Sequence, residues 1–308
     1  MSRISTNGSY QSALANLMTA QTRGAEAQER YSTQKNATDL VGFGRQSETL
    51  TALKGSQSRL QGFINAADTV TGRLEIQDLA MNRVQEGIGG IADAINNAIA
   101  NDTAITLMLE VSNNYQEIRG GLNTKYQGSY LFSGASVSIA PVDAETLADL
   151  AAAPTTADLF KNDQVKSASR VAENTVLETG FLADDLGTEI ADILRDIQNF
   201  HTGPSGPLTG KLTDAQKTFL TAQVARLSTA QQNSVEQVAL SGSMASQIET
   251  VAKNQQAQLN SLDKLVSDRT DADMAKAFAD MQLAQQSIEA SAQVIASLRD
   301  SSLLNLLR

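Results

Sequence analysis

"LEIQDLAMNRVQEGIGGIADAINNA", residues 74–98, places Leu74, Met81, Val84, Ile88, Ile91, Ile95 and Ala98 at steps of three and four, so that all seven fall on one helical face. The same stepping continues back through Asp78, Thr71, Ala67, Ile64, Leu60, Gln57, Leu53 and Leu50. Twelve of these fifteen positions are apolar, which predicts a single amphipathic helix with a coiled-coil seam, roughly 70 Å long at 1.5 Å per residue. Six glycines fall inside it, at 55, 62, 72, 87, 89 and 90. Each costs a helix about 0.5–1 kcal/mol, so residues 87–90 are where a break would fall.

A second seam answers the first. Thr213 and Gln216 have capping-box spacing. From there Leu220, Val224, Leu227, Gln231, Ser234, Val238, Ser241, Ala245, Ile248, Ala252, Gln255, Leu259, Leu262 and Val266 keep the same period, and ten of the fourteen are apolar. This helix would run roughly 80 Å, and the two are expected to bury their seams against each other as an antiparallel pair. Between them, "NDT" at 101–103 reads as a kink or new N-cap. A further stripe follows through Ile105, Met108, Ser112, Tyr115, Ile118 and Leu122. Pro141 and Pro154 bracket an Ala-rich piece, and "VKSASRV" (165–171) with "NTVLETGFL" (174–182) supplies the only β candidate, a small hairpin. Ile190, Ile193, Leu194 and Ile197 mark a short helix that stops at the Gly/Pro-rich loop 199–210.

The two ends of the chain carry stripes of their own. "SDRTDAD" at 267–273 interrupts the second seam, with Thr270 and Asp273 as candidate caps for a final helix bearing Met274, Phe278, Met281, Ile288, Ile295 and Leu298. Near the N-terminus Tyr10, Leu14 and Leu17 form a matching stripe, with Ile4 ahead of it, that weakens after Gln21. These ten residues are the candidate assembly interface, because apolar stripes at chain ends need something to bury against. The reading is therefore mainly α: an elongated antiparallel long-helix rod, with paired terminal helices and a small β-containing middle. Its parts are a terminal region (1–44 and 267–308), a helical rod (45–134 and 185–266) and a variable segment (135–184).

Composition narrows the chemistry. A net charge of −10 with no basic face argues against nucleic acid. The chain has no Cys and a single His, so thiolate chemistry, His pairs and catalytic triads lack their residues. His201 sits in the Gly/Pro loop and reads as a plain surface residue. Asp268, Asp271 and Asp273 lack the Gly and Glu of a calcium loop and read as helix caps. "GIGG" at 87–90 has no preceding strand to make a phosphate cradle. No enzyme, cofactor or metal is expected. No signal-peptide core and no 18-residue apolar run occurs, so classical secretion and membrane insertion are not expected either.

The order of N-terminal helix, long rod, small middle, return helix and C-terminal helix resembles bacterial flagellin and its relatives, and "SDRTDADMAKAFADMQLAQQSIEAS" (267–291) is similar to their entry into the C-terminal helix. Within that superfamily "GGLNTKYQGSYLFSGA" (120–135) resembles a segment of the hook-filament junction proteins, also called hook-associated protein 3. The turn "YSTQKNATDLVGFG" (31–44) departs from the pattern, lacking the Asp-Asp-Pro run of the family. The resemblance implies a secreted structural subunit of the flagellum, exported unfolded through the flagellar channel with the help of a chaperone. Its implied partners are other copies of itself, an adjacent hook-associated junction protein and flagellin. It also implies that Tyr130, Leu131 and Phe132 form a packing plug where the chain leaves the rod, with Gly128 and Gly134 permitting the turns. Alternative readings are a filament flagellin and, more remotely, a type III secretion tip or translocator protein.

Overall fold

The computed structural model describes the backbone of residues 2–306 and the side chains of residues 8–299. Its helices are α1 (Ser2–Thr33), α2 (Ser47–Ala100), α3 (Leu107–Leu122), α4 (Leu147–Ala152), α5 (Ala183–Thr202), α6 (Asp214–Thr270) and α7 (Met274–Leu306). Two short antiparallel hairpins join them, β1 (Lys125–Tyr126) with β2 (Ser129–Tyr130), and β3 (Ala168–Ala172) with β4 (Thr175–Glu178). The mainly helical expectation stands. The chain forms two compact units, residues 1–59 with 258–308, and residues 60–257. The first reaches past residue 44 and begins before residue 267, because Leu50 and Leu259 on the long helices are themselves buried there.

In the larger unit the seams of α2 and α6 lie where their periodicity put them. All the predicted seam positions on both helices are buried or half-buried. The main cluster gathers Met81, Val84, Ile88, Ile91 and Ile95 of α2 with Leu220 and Leu227 of α6, Ile118 and Leu122 of α3, and Ile190, Ile193, Leu194 and Ile197 of α5. Phe200 of α5 stacks on Phe219 of α6 at 4.0 Å between ring centroids. The capping box at the start of α6 forms as expected, Thr213 N–H donating to Gln216 Oε1 at 3.0 Å and Gln216 N–H to Thr213 Oγ1 at 3.3 Å.

The glycines do not break α2, which is continuous through residues 87–90. Gly87 and Gly90 serve the approach of α3 instead. A Cβ at Gly87 would lie 2.5 Å from Ile118 Cγ1 and 3.0 Å from the Asn114 carbonyl oxygen, and one at Gly90 would lie 2.1 Å from Asn114 Oδ1. Gly121 of α3 returns the contact, with only 2.8 Å between a notional Cβ and the Ala80 carbonyl oxygen. The helix-propensity cost is offset by close packing of two backbones.

Several local expectations are corrected. Helix α3 begins at Leu107 rather than at Asn101–Thr103, so Ile105 is not on its apolar face and is 76% exposed. Asp102 adopts φ +53°, and the turn it makes is tied to the segment before α6: Ala104 N–H donates to Gly210 O at 2.7 Å, and Lys217 pairs with the Asp102 carboxylate at 2.6 Å. The 165–182 hairpin is present but is not the only β structure. The β1–β2 hairpin was missed because each strand has two residues; its turn needs positive φ at Gln127 (+49°) and Gly128 (+84°), as type I′ turns do. His201 is no plain surface residue: it ends α5 half-buried, and its Nδ1 accepts the Leu208 N–H at 3.1 Å, folding the Gly/Pro loop back on the helix.

In the smaller unit α1 runs to Thr33, packed along α7. Thr270 closes α6 instead of capping α7. The cap of α7 is Asp273, whose Oδ1 accepts the Lys276 N–H at 3.1 Å.

Candidate functional site

Helices α1 and α7 pair antiparallel: Tyr31 and Phe278 bring their rings to 5.9 Å, Arg30 reaches Asp280 at 3.6 Å, and Gly24 faces Ala284 and Ile288. The side chains buried at this contact are small. Ala13, Ala20 and Ala27 recur every seven residues on α1, and Ala277 and Ala284 do so on α7. A Cβ at Gly24 would stand 3.4 Å from Ala284 Cβ, so the two backbones run close. A seven-residue alanine period is the seam of an antiparallel pair whose knobs are methyl groups.

This arrangement redistributes the candidate residues. Leu17, Met274, Met281, Ile288, Ile295 and Leu298 are half-buried along the flanks of the alanine seam. Tyr10, Leu14 and Phe278 are exposed. Ile4 lies outside the residues whose side chains are described. Large apolar residues that the stripe reading passed over are exposed as well, among them Met18 (61%), Tyr31, Leu283 (63%) and Val294. The alanines were missed because Ala suits any helix surface and does not mark a seam by itself; their strict period of seven was the available signal.

The connectors at one end of this pair are clasped together. Asn36 N–H donates to Thr270 O at 2.7 Å and Ala272 N–H to Gln34 O at 2.9 Å, while Asn36 Nδ2 donates to Asp271 O at 2.9 Å. Lys35 forms an ion pair with Asp271, and Ser267 donates its hydroxyl to the same carboxylate. The Lys35 ammonium, then the Ser267 and Thr270 hydroxyls, hold the Asp271 carboxyl down at about 2. The alignment of α1 against α7 is thus pinned where the two helices begin their antiparallel run.

The aromatic triplet lies in the larger unit. Phe132 is wholly buried and Leu131 nearly so, both in the main cluster, and Phe132 O accepts the Ala183 N–H at 2.9 Å. Tyr130 is half-buried, with the Lys125 ammonium 4.4 Å from its ring centroid. Gly134, at φ +66°, leaves room for Asp163, whose Oδ1 accepts the N–H groups of Ala135 and Val165, both at 2.9 Å. Nearby, the Tyr115 hydroxyl donates to Ala144 O at 2.6 Å, and burial pushes its pKa up to about 12.

Among the described residues no group of His, Cys, Asp or Glu is placed to hold a metal ion, and no helix is long and apolar enough to cross a membrane. The recess between the end of α1 and the following loop, about 270 Å³, is lined by Glu26, Glu29, Arg30, Lys35 and Asp39. Its charges are of both signs, and within it the Thr38 hydroxyl donates to Glu29 Oε1 at 3.2 Å.

No protein-family model and no curated protein matches the chain. Solved structures do. A protein assigned as flagellar hook-associated from Vibrio parahaemolyticus superposes with a TM-score of 0.60 at 12% identity, over 73% of this chain and 97% of that one. FlgL from Bacillus cereus superposes with a TM-score of 0.53 at 13% identity, over 70% of this chain and 98% of that one. At these identities the likeness is one of fold.

Proposed function

We propose that this protein is a structural subunit of the bacterial flagellum that joins hook to filament, and that it assembles through its terminal helices after flagellar type III export. The observation that carries the reading is the fold likeness to two flagellar proteins, one of them FlgL, a hook-filament junction protein, across nearly the whole of both. The surface of the α1–α7 pair supports it. Tyr10, Leu14, Met18, Phe278, Leu283 and Val294 are exposed on two neighbouring helices, and contact between like subunits would cover them. Its neighbours on either side would be a hook-associated junction protein and flagellin, and a chaperone would shield the terminal segments before export.

Deletion of the gene tests the function directly. Intact hooks with no filaments, and flagellin shed into the medium, are the expected phenotype; filaments of normal length would overturn the reading. A second measurement separates a junction subunit from a filament flagellin: added to purified hooks, the junction subunit forms a layer of limited length, whereas a flagellin grows long filaments.

A further inference from the structure

The apolar core of the larger unit narrows at one level. On α2 a small second cluster, Ala67, Val70 and Leu74 with Ile248 of α6, ends at Leu74, and the main cluster begins at Ala80. Between them sits Gln77, fully buried, with neither its amide nitrogen nor its amide oxygen hydrogen-bonded. The antiparallel alignment that faces Gly89 with Gln231 places Ser241, also buried, at the level of Gln77. At this level only the half-buried Met244 of α6 packs on both clusters, so four buried apolar residues are joined to more than thirty by a narrow neck beside Gln77. Packing cooperativity passes weakly through so few apolar contacts.

The lid of the small cluster is the β3–β4 hairpin. Leu177 of β4 packs on the cluster, and Val171 of β3, itself buried, accepts a hydrogen bond from Gln255 Nε2 at 2.6 Å. The base of the hairpin is fixed separately. Thr179 and Gly180 both donate backbone N–H groups to Ser167 O, at 2.9 and 3.0 Å, and Lys166 pairs with Asp185 at 2.9 Å. Gly180 is needed there, since a Cβ would come within 2.3 Å of Ser167 N. The hairpin is thus fixed at its base by residues 166–167 and 179–180, and its body is held by Leu177 on the small cluster, by the buried Val171 and by the Gln255 hydrogen bond.

We infer that the β3–β4 hairpin is a releasable strap: it lifts from α2 and α6 about its fixed base, opening the Val70–Leu74–Ile248 cluster while the main core stays folded. The chain contains no cysteine, so single reporters can be placed at will. Val70→Cys reports the small cluster and Val84→Cys the main one; both are buried valines on the same face of α2. With a water-soluble disulfide reagent and the full-length protein, the thiol at position 70 should react at least a hundredfold faster than that at position 84, with a rate insensitive to low urea. Gln255→Leu, which deletes the tie to Val171, should speed labelling at position 70 about tenfold and leave position 84 unchanged. Gln77→Met, which widens the apolar junction between the two clusters, should slow labelling at position 70. Equal labelling rates at the two positions, or a Gln255→Leu effect of the same size at both, would show that the hairpin opens only when the whole unit unfolds and would overturn the inference. Circular dichroism of each variant confirms that the helices are retained.

Discussion

The seam of α2 and the seam of α1 follow the same helical geometry and bury opposite kinds of side chain. Along α2 the positions facing the core are Leu74, Met81, Ile88, Ile91 and Ile95, all essentially removed from water. Along α1 the buried positions are Ala13, Ala20 and Ala27, and the larger apolar residues Tyr10, Leu14 and Met18 are turned out. At about 0.8 kcal/mol per buried methylene, the first seam draws several times more stability per turn than the second. The larger unit thus satisfies itself within one chain. The terminal pair gains alignment from its alanines and its Lys35–Asp271 clasp, and leaves Tyr10, Leu14 and Met18 exposed.

The largest expected effect comes from hollowing the self-sufficient side. Phe132→Ala should cost about 3–5 kcal/mol in urea unfolding, as deletion of a fully buried aromatic does. Phe278→Ala, at an exposed site, should cost well under about 1 kcal/mol. Comparable losses at the two positions would erase the contrast.

Next in size is Tyr115→Phe, which leaves the buried Ala144 carbonyl without its donor and should cost about 1–3 kcal/mol at neutral pH. The folded pKa of Tyr115 is raised to about 12. Its contribution is therefore fully present below the unfolded tyrosine value, about 10, and is lost as pH rises towards 12. Stability curves of the wild type and Tyr115→Phe should accordingly converge between pH 10 and 12.

The glycines of α2 give a test whose sign changes along one helix. Gly87→Ala pushes a methyl group into Ile118 and the Asn114 carbonyl and should cost about 1–2 kcal/mol. Gly62→Ala meets nothing within 4 Å and should instead stabilise by about 0.5–1 kcal/mol. Thermal melts of the two variants moving in the same direction would contradict the close approach of α3.

Smaller still is the clasp of the terminal pair. The Asp271 carboxyl is held at about 2, below its unfolded value of about 3.9, so its contribution is present above pH 4 and disappears as pH falls towards 2. The partners are partly exposed, and screening limits the gain to under about 1 kcal/mol. Asp271→Asn should flatten the dependence of melting temperature on pH in that window alone. Leu283→Ser should change monomer stability least, within about 0.5 kcal/mol. If the exposed face is the assembly surface, the same change should nevertheless abolish addition to purified hooks.

Much of this architecture could be read in the one-dimensional pattern. Each seam residue named on α2 and α6 is buried or half-buried, the 165–182 hairpin forms, and the Thr213–Gln216 cap has both its hydrogen bonds. These features depend on period and on interactions three residues apart. The readings that had to be corrected depended on neighbours distant in sequence. Gly87 and Gly90 look like a helix breaker until Asn114 and Ile118 are seen against them, and His201 looks like a surface residue until Leu208 returns to it.

At the candidate site the apolar stripes could be read but the side they would face could not. Amphipathic period and capping chemistry, which are properties of local backbone geometry, determined from sequence alone that the chain is a set of long helices with apolar faces. Tertiary structure decided which face of α1 and α7 is used inside the chain. Two backbones approach closely only where small side chains meet, so the alanines took the buried seam, Leu17, Met281 and Ile288 its half-buried flanks, and Tyr10, Leu14 and Met18 were left outside.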